Sequence, residues 1–275
     1  MNIDTIYLFG STGMLGNYVK KILTNDFNVI CVTRCDFDIL IDNWKKLNMV
    51  LKNIKKNDVI VNCAGIIPQK TQDNKYKIYI KINALFPHKL QNIVEKVGAK
   101  LIHISTDCVF NGKKNSPYNE DDIHTEKNIY GITKSLGEPE NATVIRTSII
   151  GEELKGKKSL LEWVKSNKNK TINGYSNHLW NGVTCLTLAN IIHKIIFKNK
   201  FWKGIKHFFS PNIVSKYELC CYISKEFNLN ININKMNGPE TINKTLSSIY
   251  KIEDDYIISD ISNQIKLLKT FTLYI

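Results

Sequence analysis

The sequence predicts an α/β fold, a doubly wound parallel sheet with a small C-terminal α/β lobe. Three observations carry that reading. Short apolar runs rich in β-branched residues alternate with helix-period segments through the first half of the chain. A turn with three glycines, Gly10-Ser11-Thr12-Gly13-Met14-Leu15-Gly16, follows the first apolar run and opens the first helical one. A length of 275 residues with 43% hydrophobic content suits one α/β unit of ordinary core size with an appended lobe.

In chain order, strands are expected at Thr5 to Phe9, Val29 to Thr33, Val59 to Asn62, Lys100 to Ser105 and Thr143 to Thr147. Helices are expected at Leu15 to Leu23, Trp44 to Ile54, Lys77 to Val97 and Tyr130 to Leu136. After Ile150 the pattern loosens into a lysine-rich stretch (Lys155 to Lys170) and a polar loop (Gly174 to Gly182). A helix at Leu186 to Phe197 and a strand at Ile205 to Phe209 then restore it, and the last ~60 residues read as short helices and strands. With no internal repeat and no low-complexity linker, two interleaved lobes are expected rather than two independent domains.

The 38 basic residues exceed the 25 acidic ones, for a formal charge of +13. The lysines are scattered among asparagine and isoleucine with no aromatic-interleaved stripe, so no nucleic-acid partner is expected, while an anionic small ligand would be favoured. No apolar run approaches the roughly 18 residues of a membrane helix, and the first strand begins without a basic leader and cleavage site. No membrane association and a cytoplasmic location are expected. Seven cysteines lack CxxC spacing, so reduced thiols and no metal are expected. Only Arg34 and Arg146 are arginines, and in a lysine-rich chain each marks a place where a planar, bidentate cation matters.

The glycine turn is a candidate dinucleotide cradle of the Rossmann type. Gly10, Gly13 and Gly16 allow a tight turn, close backbone approach to a pyrophosphate and close helix packing. The helix N-terminus through Thr12, Met14 and Leu15 would offer N–H donors to that anion. Where an NAD-binding chain usually carries a carboxylate, after the second strand, this one has Arg34. A guanidinium there pairs with a 2′-phosphate, which favours NADPH, or is simply a solvated surface arginine. Asp38 could accept from the adenine amine or serve only its turn. The small residues Cys63, Ala64 and Gly65 after the third strand would let the cofactor lie along the sheet edge.

Tyr130 and Lys134 are spaced i,i+4 in a helical stretch and so share a face. An ammonium beside the phenol would draw its pKa from about 10 toward neutrality, as a general acid for ketone reduction requires. Ser105-Thr106-Asp107 lies at the end of the Lys100 to Ser105 strand.

Taken with Ser105 to Gly112 (Ser-Thr-Asp-x-Val-Phe-x-Gly), Tyr130-Gly131-x-Thr133-Lys134-x-x-Gly137-Glu138, Arg146-Thr147-Ser148 and Asn83-Ala84-Leu85-x-Pro87, the chain resembles the extended short-chain dehydrogenase/reductases. Within them it resembles the dTDP-4-dehydrorhamnose reductase family, clearly to about Ile150. The resemblance implies that residues 1–150 form the NADP-binding domain, with a returning segment at about 183–212, and that 151–182 and 213–275 form the substrate-binding lobe. It implies that Thr106 and Tyr130 bind a substrate keto oxygen, that Lys134 holds the nicotinamide ribose, that Asn83 lines the cofactor site and that Asp107 lies at the sugar. The implied reaction is NADPH-dependent reduction of the 4-keto group of a UDP- or dTDP-linked 4-keto-6-deoxyhexose, with 2-acetamido forms included.

Two departures bear on the sugar pocket. Cys108 and Ile149 stand where the family usually has aromatic residues. Cysteine also occurs at the Cys108 position in enzymes similar to GDP-fucose synthase and the plant UDP-rhamnose enzymes, where it transfers protons beside the keto group. Cys108 is thus either a C3/C5 epimerase acid, with Lys158 a candidate partner, or a small residue that fits. In the loop Tyr175 to Gly182, Trp180 could stack on the sugar or base, and Asn181 or His178 could hydrogen-bond it, unless the loop only packs. An alternative of another class resembles the non-catalytic, NADP-binding regulatory subunit of methionine adenosyltransferase. The oligomeric state is open, a homodimer being one option.

Overall fold

The computed structural model describes residues 3–68, 76–251 and 256–273. Its first half alternates β1 (Thr5–Phe9), α1 (Met14–Leu23), β2 (Asn28–Val32), α2 (Trp44–Val50), β3 (Val59–Asn62), α3 (Tyr76–Tyr79), α4 (Phe86–Val97), β4 (Lys100–Thr106), α5 (Ile129–Leu136) and β5 (Thr143–Thr147). There follow β6 (Ile149–Ile150), α6 (Leu160–Ser166), β7 (Thr171–Tyr175), β8 (His178–Trp180), β9 (Val183–Thr184), α7 (Cys185–Phe197) and β10 (Gly204–His207). The chain closes with β11 (Val214–Ser215), α8 (Lys216–Glu226), β12 (Asn232–Met236), β13 (Ile242–Asn243) and α9 (Ile261–Thr270).

Six strands form one parallel sheet in the order β10-β5-β4-β3-β1-β2. Connections leave β1 and β3 in opposite directions, and this switch point opens a crevice at their carboxyl ends. Alternation along β1 feeds two cores. Ile6 and Leu8 face the layer of α1, α7 and α9, whereas Tyr7 and Phe9 face that of α2 and α4. The first core also takes Trp180, Leu219, Ile223, Ile265 and Leu268, so the C-terminal segments pack on the same apolar layer as the sheet.

Two helices end differently from the sequence reading. The helix expected from Trp44 to Ile54 stops at Val50, and the chain tightens so that the Ile54 N–H bonds to the Leu51 carbonyl (3.0 Å). Leu47, Leu51 and Ile54 are all buried, so helical apolar spacing outlasts the helix. The helix expected at Lys77 to Val97 begins at Tyr76 and passes through π-helical turns over Ile80–Leu85. Pro87 cannot donate to the Asn83 carbonyl four residues earlier. Gly137 packs against that carbonyl so closely that a Cβ would lie 1.7 Å from it.

Arg146 on β5 is completely buried. Its guanidinium makes a double contact with Glu138 (Nε–Oε1 3.0 Å, Nη2–Oε2 2.7 Å), and Ser105 bonds to the same carboxylate. It also donates to Nε2 of His207 on β10 (2.9 Å) and of His124 (2.7 Å). Arginine only donates, so both imidazoles accept through Nε2 and are neutral; Nδ1 of His207 donates to the Ser247 carbonyl (2.8 Å). Burial and then the guanidinium hold His207 well below 6.5, and burial lowers His124 against the pull of Glu138. Histidines depressed in the folded state take up protons more readily when unfolded, so their stabilising effect is complete above pH 6.5 and is lost as pH falls below it. The thermal midpoint is therefore expected to be flat from pH 8 to 7 and to fall steadily below pH 6.5, with a shallower fall in His207→Gln; calorimetric scans against pH check this.

Candidate active site

At the end of β1 the chain turns through Gly10 at φ +75°, where a Cβ would lie 2.6 Å from the Ala64 nitrogen. A Cβ on Gly16 would lie 2.0 Å from the Gly10 carbonyl oxygen. Glycine is therefore required at both positions for β1, α1 and the loop after β3 to approach one another. The α1 N-terminus has Gly13 as its cap residue and no side-chain cap, so the N–H groups of the first turn remain available to an anion. Thr12 is exposed and Met14 half-buried, while Leu15 faces the core and can meet a ligand only through its backbone. Between these residues and Arg34, Asp38, Cys63, Ala64 and Gly65 lies a cleft of about 210 Å³. Exposed Arg34 stands at its rim. Asp38 spends Oδ1 on the Leu40 N–H (2.8 Å), which makes it a turn residue with one oxygen left over. These features fit an adenine dinucleotide: a backbone cradle that side chains would fill, an uncapped helix and a cation at the ribose end.

Asn83 does not present its amide to that cleft. Both its ends are used on Ile66, Oδ1 accepting from the N–H (2.9 Å) and Nδ2 donating to the carbonyl (3.0 Å). It closes the loop that carries Cys63 to Gly65.

The structure brings Thr106, Cys108 and Tyr130 together. The Thr106 hydroxyl ends β4, donates to Asp107 Oδ1 (3.0 Å) and accepts from the Cys108 N–H (3.1 Å), and the Tyr130 phenol lies near enough to feel it electrostatically. Asn128 caps α5 by accepting from the Gly131 N–H (2.8 Å), and Gly131 lets the helix sit close on the Cys108 carbonyl. That places Tyr130 over the end of β4.

Lys134 does not activate the phenol in the way the spacing suggested. Its ammonium drops between α5 and β4 onto the Ile104 carbonyl (2.7 Å), 3.5 Å from His103 Nε2. Burial, with Cys108 next, raises the Tyr130 pKa above its ordinary value. Burial lowers Lys134 to about 8 against the pull of Glu138 and Cys63. Burial and Asp107 together push the Cys108 thiol up to about 12.

Lys158 is exposed in the loop before α6, its N–H on Glu153. The lysines that interact electrostatically with Cys108 and Asp107 are Lys216 at the start of α8 and Lys244 after β13. Burial lowers the Lys216 pKa, with Asp107 and Cys108 opposing. Lys244 pairs with Glu126 (3.3 Å), and Cys108, Asp107 and Glu126 carry it above the usual lysine value despite burial. Sequence reasoning missed both, since neither has a motif around it.

Trp180 is 3% exposed, wedged against Gly182 with the Lys216 ammonium 5.1 Å over its ring. It backs the pocket wall and offers no open stacking face. Asn181 is also spent, bonding the Leu246 carbonyl and N–H (both 2.8 Å). His178 lies against Tyr175 (ring centroids 4.6 Å) and Gly238, and Ile149 packs on the main core while pairing with Val183.

An open parallel sheet with a glycine turn at its switch point is a dinucleotide-binding α/β fold, and Thr106, Tyr130 and Lys134 gather around the end of its fourth strand. The chain belongs to the RmlD substrate binding domain family, which it matches over residues 4–248. It is similar to the dTDP-4-dehydrorhamnose reductase of Bacillus anthracis str. Ames, solved in complex with NADP (TM-score 0.82, 20% identity, 98% of this chain and 100% of that one). The spore coat polysaccharide biosynthesis protein SpsK of Bacillus subtilis is 29% identical over 203 residues (71% of this chain, 70% of the relative). The methionine adenosyltransferase 2 subunit beta of Xenopus laevis is 29% identical over 245 residues (80% and 71%).

If Arg34 meets a 2′-phosphate, Arg34→Ala weakens NADP⁺ binding about tenfold or more, the loss of a charge-assisted hydrogen bond, and leaves NAD⁺ binding unchanged. Titration calorimetry with both dinucleotides measures the difference.

Proposed function

We propose that this protein is an NADPH-dependent reductase of the 4-keto group of a nucleoside-diphosphate-linked 4-keto-6-deoxyhexose, carried on UDP or dTDP, and that it also epimerises the sugar at C3 or C5. The observation that carries the reading is the gathering of the Thr106 hydroxyl, the Tyr130 phenol and a protonated Cys108 thiol at the end of β4, in a chain whose β1 turn forms a dinucleotide cleft. When bound, NADPH supplies the hydride that C4 receives. A phenol whose pKa is raised remains protonated at neutral pH, so Tyr130 is equipped to give its proton to the C4 oxygen as negative charge develops there. Thr106, whose single hydroxyl proton goes to Asp107 in the free protein, turns that proton to the same oxygen when substrate binds. Lys134 contributes positive charge behind the centre and a donor for the nicotinamide ribose.

Epimerisation uses the acidity that a 4-keto group gives to the C3 and C5 hydrogens. Lys216 acts in its free-amine form and takes the C–H proton; Thr106 and Tyr130 hold the enolate oxygen; the Cys108 thiol returns a proton to the opposite face. The ammonium then restores the thiol, so protons balance and no redox partner is needed. Reduction of the epimerised ketone follows in the same pocket.

The match to methionine adenosyltransferase 2 subunit beta supports a second reading, a dinucleotide-binding subunit without turnover. Steady-state NADPH oxidation against UDP- and dTDP-4-keto-6-deoxyhexoses, 2-acetamido forms included, separates the two. Turnover is expected, and Tyr130→Phe should lower kcat about 100-fold or more; tight NADPH binding with no turnover on any of these sugars supports the second reading.

Run in D₂O, the wild-type reaction is expected to place deuterium at C3 or C5 of the product, and Cys108→Ala to place none there while still reducing the 4-keto group. Unlabelled wild-type product would rule epimerisation out.

A further inference from the structure

Behind Lys134 lies a buried imidazole that the proposed chemistry does not use. His103 sits in the middle of β4, fully buried, with Nδ1 3.0 Å from Asn62 Nδ2 on β3 and Nε2 3.5 Å from Lys134 Nζ. Asn62 is also fully buried, and its Oδ1 accepts from the N–H of Ala64, in the wall of the dinucleotide cleft (3.1 Å).

We propose that His103, its tautomer fixed by Asn62, is a positioning residue that sets the protonation of Lys134 through a hydrogen-bond chain anchored in the backbone of the dinucleotide cleft.

The chain can be read in one direction only. An amide N–H donates, so the Asn62 atom facing Ala64 must be the oxygen, which fixes the carboxamide and turns its NH₂ toward His103. Nδ1 of His103 therefore accepts, and in a neutral ring the proton is on Nε2. The ring is neutral because burial, then the charge of Lys134, holds its pKa well below the ordinary histidine value. Nε2–H consequently points at Lys134 Nζ. An ammonium carries donors only and would meet that N–H donor to donor, whereas the free amine offers a lone pair to it while still donating to the Ile104 carbonyl (2.7 Å).

The other groups around these two residues act against this preference or on His103 alone. Glu138 just past α5 and Cys63 after β3 both favour the cation of Lys134. His88 on α4 acts on His103 and reinforces its neutrality. His103 is thus the polar neighbour on β4 that favours the amine, and with burial it offsets Glu138 and Cys63. The loop that carries Ala64 and the charge beside Tyr130 are coupled as a result.

The reading of Lys134 as part of the reacting centre rests on the proposed function, but the coupling can be measured without turnover. In ¹⁵N-histidine-labelled wild-type protein, long-range ¹⁵N–¹H spectra from pH 6 to 9 are expected to show His103 neutral and protonated at Nε2; a proton at Nδ1, or an imidazolium, overturns the proposal. In His103→Gln the carboxamide can turn its oxygen toward Nζ, so the Lys134 titration, followed by the ¹³Cε shift of labelled lysine, is expected to move up by about one pH unit. An unchanged midpoint in a folded His103→Gln protein also overturns it. If the protein turns over, the alkaline limb of kcat/KM moves up with that midpoint. A protein that never reduces a ketone would defeat the proposed function and leave both spectroscopic outcomes to decide this one.

Discussion

The fold around the site depends on one buried cation. Arg146 is enclosed on every side and reaches four separate pieces of chain: Glu138 just past α5, His207 on β10, His124 in the segment before α5 and, through Glu138, Ser105 at the end of β4. Those pieces flank Thr106, Tyr130 and Lys134. A lysine could not replace it, because a point charge cannot satisfy a carboxylate edge and two imidazole lone pairs in one plane. Withdrawing it would leave Glu138 charged in a dry interior, a loss on the order of 3–5 kcal/mol for a broken buried pair. The same guanidinium sits 5.3 Å over the Phe110 ring, which ties the chain beyond Cys108 to this anchor.

With the end of β4 held from behind, the pocket is assembled from both directions. The sheet supplies Thr106 and the glycine cleft; α5 supplies Tyr130 and Lys134; the segments after residue 213 bring Lys216 and Lys244 to the thiol of Cys108. The shared core makes this possible, since Leu219 and Ile223 of α8 pack in the same apolar layer as Ile6 and Leu8 of β1. The candidate site is therefore defined by packing at its rear and by charge at its front.

Much of this was legible in the sequence where a local pattern carries it. The five N-terminal strands, the glycine turn and the shared face of Tyr130 and Lys134 follow from periodicity or fixed spacing, while Thr106 was marked by the family resemblance. Arg146 was marked only by being one of two arginines among 38 basic residues. What escaped was long-range. Lys216 and Lys244 look like any other lysine until α8 and β13 are folded against β4, and His103 and Asn62 read as unremarkable strand positions until the sheet pairs them (Asn62↔His103). Asn83 was read as ligand-facing from the family resemblance, and Asn181 and Trp180 because polar and aromatic side chains in loops invite it. The structure spends the two amides on Ile66 and Leu246 and buries the ring. The Tyr130–Lys134 spacing was right about the shared helix face and wrong about the contact, because a carbonyl on β4 holds the ammonium.

The burial that keeps Cys108 protonated has a redox consequence. Thiolate, not thiol, reacts with peroxides, alkylating agents and disulfides, and a thiol at about 12 is ionised to roughly one part in 10⁵ at pH 7. Cys63, under the dinucleotide cleft, is held at the same level. With its thiols at the end of β4 and under the dinucleotide cleft both held protonated, the chain is slow to react with oxidants there, and no disulfide joins its cysteines among the described residues.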